Sequence, residues 1–282
     1  MNICFNGSFY TADVPVLSAQ NRSFKWGDGV FETMKVFRGA IILADFHFER
    51  LFTGLQLLQI ECAASILQST LSQQILELCA QNNCLFSARV RLAVYRTDEN
   101  LAGYLVEAIP LDEAVNSWVE EGLSITLYPY ARKSQDAFAN LKSANYLPYV
   151  LAARYATEKG VDDALVLNGD GLLCDSSKAN IFFVKEDKII TPALHQGCIN
   201  GVMRRVIIEE VKKLGIQISQ EEVSEEALLS ADEVFLSNAI QVIRWVKQYK
   251  NKSYASTITR QIFTAVAATV FPRSFDNALP KD

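Results

Sequence analysis

The sequence predicts an α+β protein of two domains. Three observations carry that expectation. The chain has 282 residues, more than one typical domain and enough for two, each with its own core. Short apolar runs bounded by turn residues alternate with longer segments whose apolar residues recur every three or four positions, the mixture expected of strands and helices. Apolar periodicity then fades after Pro110, through the polar and acidic stretch Leu111 to Glu121, and resumes beyond it. The division read this way is an N-terminal domain over 1–112, a linker over 113–122 and a C-terminal domain over 123–282. A cleft between two such halves is a common place for a ligand.

The elements follow in order. Ile3 to Phe5 and Phe9-Tyr10 flank Asn6-Gly7, a hairpin signature, because both turn residues tolerate positive φ. Thr33 to Phe37 and Ile41-Ile42 repeat the pattern around Arg38-Gly39. Phe48, Leu51, Leu55 and Leu58 predict a helix over 46–58. Leu67, Leu71, Ile75 and Leu78 predict another over 66–79. Strands are expected at Ala88 to Tyr95 and Tyr104 to Ile109. Past the linker come a strand from Leu123 to Tyr128 and a helix from Leu147 to Lys159, stopped by Gly160. Ala164 to Leu167, Leu172-Leu173 and Ile181 to Val184 read as a meander. Gly201 to Leu214 is a helix closed by Gly215, with Asn200 as its cap. Ile216 to Ser219, Glu233 to Leu236 and Val242 to Val246 are further strands, and Thr257 to Val270 a last helix. The tail from Pro272 to Asp282 is expected to be poorly ordered.

Composition narrows the function classes. The net charge of −5 gives no reason to expect nucleic acid or an anionic membrane as partner. No apolar stretch has the length of a membrane span, and the opening residues lack the basic and apolar regions of a signal peptide. The six cysteines form no C-x-x-C pair and none has a histidine at zinc-finger spacing. Free thiols in a reducing, cytoplasmic setting are expected, with no metal site. Two histidines, His47 and His195, are too few for a histidine-rich metal centre and give a Ser-His-Asp triad poor support.

Several residues could carry chemistry. The helix start at Gly201, Val202 and Met203 would direct amides and the positive dipole end outward, which suits an anion, although a plain capped helix looks the same. Arg50, three residues after His47, presents a fork that matches phosphate, or is an ordinary surface arginine. Lys142, just before an apolar helix, could lie in a cleft where desolvation favours the nucleophilic amine, or be a surface lysine. Asp175, a carboxylate at a strand end facing a cleft, could pair with a protonated heterocycle, or it could lie in a turn and bond locally.

Taken in order, these segments resemble the class IV aminotransferase family. Gly27-Asp-Gly-Val-Phe-Glu-Thr33 is similar to the family's G-D-G-x-F/Y-E segment, and His47-Phe-Glu-Arg50-Leu51 to its H-x-x-R-L motif. Lys142-Ser-Ala-Asn-Tyr146 resembles the segment of the Schiff-base lysine. Cys174-Asp-Ser-Ser-Lys-Ala-Asn-Ile-Phe-Phe183 resembles E-x-x-x-x-N-I/L-F. Asn200-Gly-Val-Met-Arg204 resembles the G-I-T-R phosphate loop, and Asp232 to Ala239 the late strand and turn of the phosphate cup. The resemblance covers nearly the whole chain. It implies a fold type IV enzyme with a small N-terminal α/β sandwich and a larger C-terminal pseudo-barrel domain. It implies pyridoxal 5′-phosphate (PLP) as cofactor, Lys142 as catalytic residue, an amino or keto acid substrate and a homodimer. Arg50, Gly201, Val202, Met203, Asn238 and Ala239 would surround the phosphate. Ile199 would pack on the ring and Asp175 would face the ring nitrogen, keeping it protonated so that the ring acts as an electron sink. Phe31 and Arg96 would contact substrate.

The chain departs from the family pattern at three of these positions. Asp175 stands where the family usually has Glu. Met203 and Ala239 replace two threonines whose hydroxyls would each contribute roughly 1.5–3 kcal/mol to a charged group, so weaker cofactor retention is expected. Asn200 to Arg204 and Ser237-Asn-Ala239 resemble the aminodeoxychorismate lyase branch more closely than the transaminase branch. Transaminases, of branched-chain or D-amino-acid type, are the broader group. Transamination is therefore the first expectation, release of pyruvate from aminodeoxychorismate the second, and a non-catalytic binding protein the third.

Overall fold

The computed structural model describes residues 1–64 and 66–271, so the tail from Pro272 lies outside the described residues. Two compact units divide the chain. One comprises Met1–Val115, Lys142–Asn145 and 268–271 of the described residues; the other comprises Asn116–Leu141 and Tyr146–Ala267.

The first unit is a six-stranded sheet with helices packed on it. Its elements are β1 (Asn2–Phe5), β2 (Ser8–Thr11), α1 (Arg22–Trp26), β3 (Gly29–Phe37), β4 (Ala40–Ile41), α2 (Ala44–Leu57), α3 (Gln68–Gln81), β5 (Ser87–Arg96) and β6 (Ala102–Pro110). The strands run antiparallel in the order β2-β1-β6-β5-β3-β4. Both expected turns form, with Asn6 and Gly7 at φ 49° and 86°, and Arg38 and Gly39 at φ 49° and 74°. The period-2 alternation of β3 and β5 directs Val30, Met34, Val36, Val90 and Leu92 into one core with Phe48, Leu51, Leu71 and Ile75 of α2 and α3. Glu32 shares that inward face of β3, so a carboxylate enters the core and must find partners there.

The segment Lys142–Asn145 belongs to this unit, a difference from the division at 113–122. The reason is backbone pairing with β3. Phe31 N donates to Lys142 O at 2.9 Å, Ala144 N donates to Gly29 O at 2.9 Å, and Ser143 bridges Val30. Gly27 has φ 66°, and a Cβ there would overlap Asn145 Oδ1, so glycine suits both the left-handed turn and the close approach. The five-residue α1 was not expected from periodicity.

The second unit contains β7 (Leu123–Lys133), α4 (Leu147–Glu158), β8 (Asp163–Asn168), β9 (Leu173–Ser176), β10 (Asn180–Lys185), β11 (Lys188–Pro192), α5 (Val202–Lys213), β12 (Ile218–Glu221), α6 (Glu225–Ser230), β13 (Glu233–Asn238), β14 (Val242–Tyr249), β15 (Lys252–Ser253) and α7 (Thr257–Val270), the last running past Ala267. Six strands close into a ring, β7-β8-β9-β10-β13-β14 and back to β7, with β11 and β12 extending from β10. The closing pair is Asn180↔Asp175 between β10 and β9. This ring is the pseudo-barrel. Leu165, Ile181, Phe183, Val234, Leu236 and Val246 fill one cluster, and Ala164, Val166 and Cys174 pack with Tyr149, Ala152 and Ala156 of α4 in another.

Several expectations need correction here. β9 continues through Asp175 and Ser176, so Asp175 stands near a strand end as expected, and only the predicted strand bounds, Leu172-Leu173, are too short. The cap of α5 is Gly201, with extended backbone (φ −67°, ψ 133°) and no side-chain cap bond; Asn200 does not cap it. The stretch read as a linker is tied down. Trp118 stacks edge-on against Phe263 at 5.6 Å, and Trp245 Nε1 donates to Val119 O at 3.1 Å. The start of α7 is capped by Glu233, which accepts from Ile258 N, Thr259 N and Thr259 Oγ1 at 2.7–2.9 Å. All six cysteines are free, five of them buried. Among the described residues no helix is long and apolar enough to cross a membrane.

Candidate active-site residues

In the first unit, Lys142 is half-buried and its Nζ lies 4.5 Å from the centroid of the Phe31 ring. The guanidinium of Arg91, on β5, lies 4.7 Å from the same ring. Phe31 therefore carries two cations on its π system. The backbone pairs to β3 on either side of Ser143 fix where the Lys142 side chain begins.

Arg50 is engaged by Glu32. Its Nε donates to Glu32 Oε1 at 2.7 Å and its Nη2 to Oε2 at 2.5 Å, a bidentate pair. His47, one turn earlier on α2, places Nδ1 2.7 Å from Glu32 Oε2. His47 is fully buried. Burial by itself would raise the Glu32 carboxyl, but Arg50 and His47 more than offset that and hold it at about 2. The H-x-x-R spacing thus acts with the Glu of the preceding motif: α2 brings both basic groups to one carboxylate on β3.

Arg96 is directed inward and saturated. Nε and Nη2 donate to Asp28 at 3.0 and 3.3 Å, Nη2 also to Leu58 O at 2.7 Å, and Nη1 to Gln59 O at 3.0 Å and to Asn100 Oδ1. A guanidinium has five N–H donors, and all five are used by the chain itself. This geometry ties the segment after α1, the end of α2 and the β5–β6 turn together, and it leaves Arg96 no donor for the substrate contact expected of it.

In the second unit, Asp175 is 2% exposed. Its Oδ1 accepts from Asn180 Nδ2 at 2.8 Å; its Oδ2 accepts from Tyr149 Oη at 2.7 Å and from Ile199 N at 2.9 Å. Lys133 Nζ lies 3.6 Å from Oδ2. Burial raises the Asp175 carboxyl, and Lys133, Tyr149, Ile199 and Asn180 only partly counter it. The hydroxyl of Tyr149, whose ring stacks on Tyr146 at 4.4 Å, is pushed well up by burial and by this carboxylate.

Ile199 is nearly buried and gives its carbonyl to Asn180 Nδ2 at 2.8 Å. A Cβ on Gly201 would overlap Asn180 Oδ1, so the start of α5 sits against the carboxamide that holds Asp175. The side chains of Val202 and Met203 are buried, which leaves the backbone as what this helix end presents. Asn238 Oδ1 accepts from Ile240 N and Gln241 N at 3.0 and 2.8 Å, shaping the turn that contains Ala239. Ser237 is cross-strand from Asn180, and its buried Oγ has no hydrogen-bond partner.

Sequence reasoning missed Glu32, Lys133, Tyr149 and Asn180 as interacting groups. Glu32 and Asn180 lay inside quoted motifs. Tyr149 had only its place three residues after Tyr146 on one helix face, and Lys133 had no signal.

The comparisons with known proteins agree with this architecture. The profile described as amino-transferase class IV matches residues 29–249. The aminodeoxychorismate lyase of Bacillus subtilis (strain 168) is 30% identical over 261 residues, covering 90% of this chain and 88% of that protein. The D-alanine aminotransferase of Listeria monocytogenes (serotype 1/2a, strain 10403S) is 24% identical over 250 residues, 84% of each chain. The crystal structure of Escherichia coli branched-chain amino acid aminotransferase superposes with a TM-score of 0.86 at 21% identity, over 98% of this chain and 96% of that one. The chain therefore belongs to the class IV aminotransferase family, whose members are PLP-dependent aminotransferases or lyases, and it is an enzyme of that family.

Proposed function

We propose that this enzyme binds PLP and uses it to transfer the amino group of an amino acid, of branched-chain or D-type, to a 2-oxo acid. The residues present fit the cofactor. The start of α5 has no side-chain cap, and the buried side chains of Val202 and Met203 leave backbone amides as what this helix end can offer an anion. Asp175 is a buried carboxylate with two oxygens and three hydrogen bonds, so about one acceptor position remains for a ring nitrogen. The Ser237 hydroxyl is a buried group with unused hydrogen-bonding capacity on the same strand row.

In this reading Lys142 is the Schiff-base residue, and its amine takes and returns the proton at the substrate Cα. Arg50 and the amides of Val202 and Met203, next to Gly201, bind the phosphate. Glu32 and His47 fix the orientation of Arg50, Asp175 holds a proton at the ring nitrogen, and Ile199 covers the ring. Asn238 shapes the turn of Ala239, and Phe31 lines the substrate side. When bound, PLP supplies the electron sink that makes the Cα proton removable. Arg96 serves to hold its own unit together and is set aside as a substrate ligand. A homodimer acting on amino and keto acids, in the cytoplasm, completes the reading.

The observation that carries it is the position of Lys142, with its backbone paired to β3 and its amine beside Phe31, in a chain matching the family across 29–249. The test is Lys142→Ala. The visible absorbance of bound PLP and the turnover should disappear together, and persistence of both would refute the reading.

A second reaction, release of pyruvate from aminodeoxychorismate, is favoured by a specific observation. The relative at 30% identity over 90% of this chain is an aminodeoxychorismate lyase, and Met203 and Ala239 lack the hydroxyls of the transaminase pattern. Assays with aminodeoxychorismate, and separately with branched-chain and D-amino acids plus 2-oxoglutarate, separate the two.

A further inference from the structure

Tyr149 is a buried phenol to which the proposed chemistry gives no part. It is the third residue of α4 and is 4% exposed. Its ring stacks on Tyr146 with centroids 4.4 Å apart, and the Lys133 ammonium lies 5.5 Å from its centroid. Its hydroxyl donates to Asp175 Oδ2 at 2.7 Å. The same oxygen accepts from Ile199 N at 2.9 Å and has Lys133 Nζ 3.6 Å away. Lys133 is itself tied to Ala139 O at 2.6 Å and to Gly197 O. Among the described residues Oδ1 accepts only from Asn180 Nδ2, at 2.8 Å, and Asn180 is fixed in turn by Ile199 O. Buried Cys174, Cys198 and Arg204 complete the titratable groups around the carboxylate. A carboxylate has about two lone pairs on each oxygen. Tyr149 and Ile199 fill both on Oδ2, whereas Asn180 fills one on Oδ1 and leaves one. The two oxygens of Asp175 are therefore not equivalent.

We infer that Tyr149 is a positioning residue for Asp175: by filling Oδ2 it leaves Oδ1 as the atom that meets the cofactor's ring nitrogen, and by stabilising the carboxylate it helps keep the proton on the ring. This rests on the proposed binding of PLP with Asp175 at the ring nitrogen. The physical reason is relative basicity. A proton placed between a carboxylate and a pyridine nitrogen resides on the more basic of the two. A hydrogen bond made to the ionised carboxylate lowers its basicity, and such charge-assisted bonds are stronger than neutral ones. Tyr149 makes its bond at the oxygen the ring does not use, so it favours the protonated ring without competing for the open lone pair. Lys133, on the same oxygen, acts in the same direction. Bonds on both oxygens also stop the carboxylate from turning, which matters for a side chain as short as aspartate.

The test uses the whole enzyme loaded with PLP labelled with nitrogen-15 in its ring, as wild type and as Tyr149→Phe. Nitrogen NMR reads where the ring proton lies and does not depend on turnover. The wild-type resonance is expected at the pyridinium position at neutral pH. Tyr149→Phe should move it toward the neutral position and lower the apparent ring titration by about one pH unit. A Tyr149→Phe enzyme with unchanged circular dichroism, bound PLP and an unmoved resonance overturns the inference and leaves Tyr149 as a packing residue of α4. A crystal structure of the wild type with PLP checks the atom assignment even if the variant does not fold. Oδ1 within hydrogen-bonding distance of the ring nitrogen is the expected result, and Oδ2 in that place overturns the inference. A wild type that takes up no PLP, or holds the ring away from Asp175, instead removes the reading on which the inference rests, and the inference with it.

Discussion

Two buried carboxylates, one in each unit, meet the same solvent exclusion and respond in opposite directions. Glu32 is 1% exposed and Asp175 2%, so burial penalises the charge of both. Glu32 faces a bidentate arginine at 2.5–2.7 Å and a histidine at 2.7 Å, and its carboxyl is held at about 2. Asp175 has three neutral donors and a lysine at 3.6 Å, and its carboxyl is raised. Neutral hydrogen bonds satisfy lone pairs, but a close, well-oriented cation is what offsets desolvation of a charge. Glu32 is thereby a permanent anion that fixes an arginine. Asp175 has only a lysine at 3.6 Å and neutral donors, so its charge is offset less completely and its carboxyl stays raised by burial.

The comparison can be broken most severely at Glu32. Glu32→Ala leaves Arg50 and His47 without their carboxylate and should cost about 3–5 kcal/mol of stability in chemical denaturation. A loss below about 1 kcal/mol would mean that the cluster adds little to the fold. The acid limb of stability gives the next largest effect. Because the folded value of Glu32 lies below its ordinary 4.5, its contribution is fully present above that pH and is lost as the pH falls toward about 2. The loss should be about 3 kcal/mol and largely absent from Glu32→Gln. Gly201→Ala sharpens the Asp175 side. The new methyl overlaps Asn180 Oδ1, and the strain should cost about 2 kcal/mol and weaken PLP binding, read by equilibrium dialysis. Tyr149→Phe removes one hydrogen bond to a charged group and should cost about 1.5 kcal/mol. The smallest effect has the opposite sign to that of Glu32. Because Asp175 is raised, its ionisation in the free enzyme costs stability as the pH rises from its ordinary range through the folded value. Asp175→Asn should therefore gain on the wild type with rising pH, and a constant difference from pH 4 to 8 would contradict this.

Much of the fold could be read from local pattern. The hairpin turns at Asn6-Gly7 and Arg38-Gly39 and the helices before Gly160 and Gly215 follow from positive-φ preference and apolar spacing, both properties of neighbouring residues. The misreadings occur where partners are distant in sequence. Asn200 looks like a cap until Asn180 is seen packed on Gly201, and the choice between strand end and turn at Asp175 is decided only when β10 pairs with it. The linker lacks periodicity because its order comes from Trp118 and from Trp245, more than a hundred residues away. Arg96 illustrates the same limit: a sequence shows a fork of donors, and only the fold shows that Asp28, Leu58, Gln59 and Asn100 already occupy it.

By itself the sequence determined the α+β class, most element positions and, through ordered motifs, the family, and it singled out Lys142, Arg50 and Asp175 as candidates. Only the tertiary structure decided how those groups are charged and held: Glu32 on Arg50, Lys133 and Tyr149 on Asp175, and β3 on the backbone at Lys142. The physical reason is range. Turn preference and apolar periodicity act over a few residues and leave a trace in the string of letters. Electrostatic coupling and desolvation depend on distances of 3–4 Å between segments far apart along the chain, which exist only once the chain has folded.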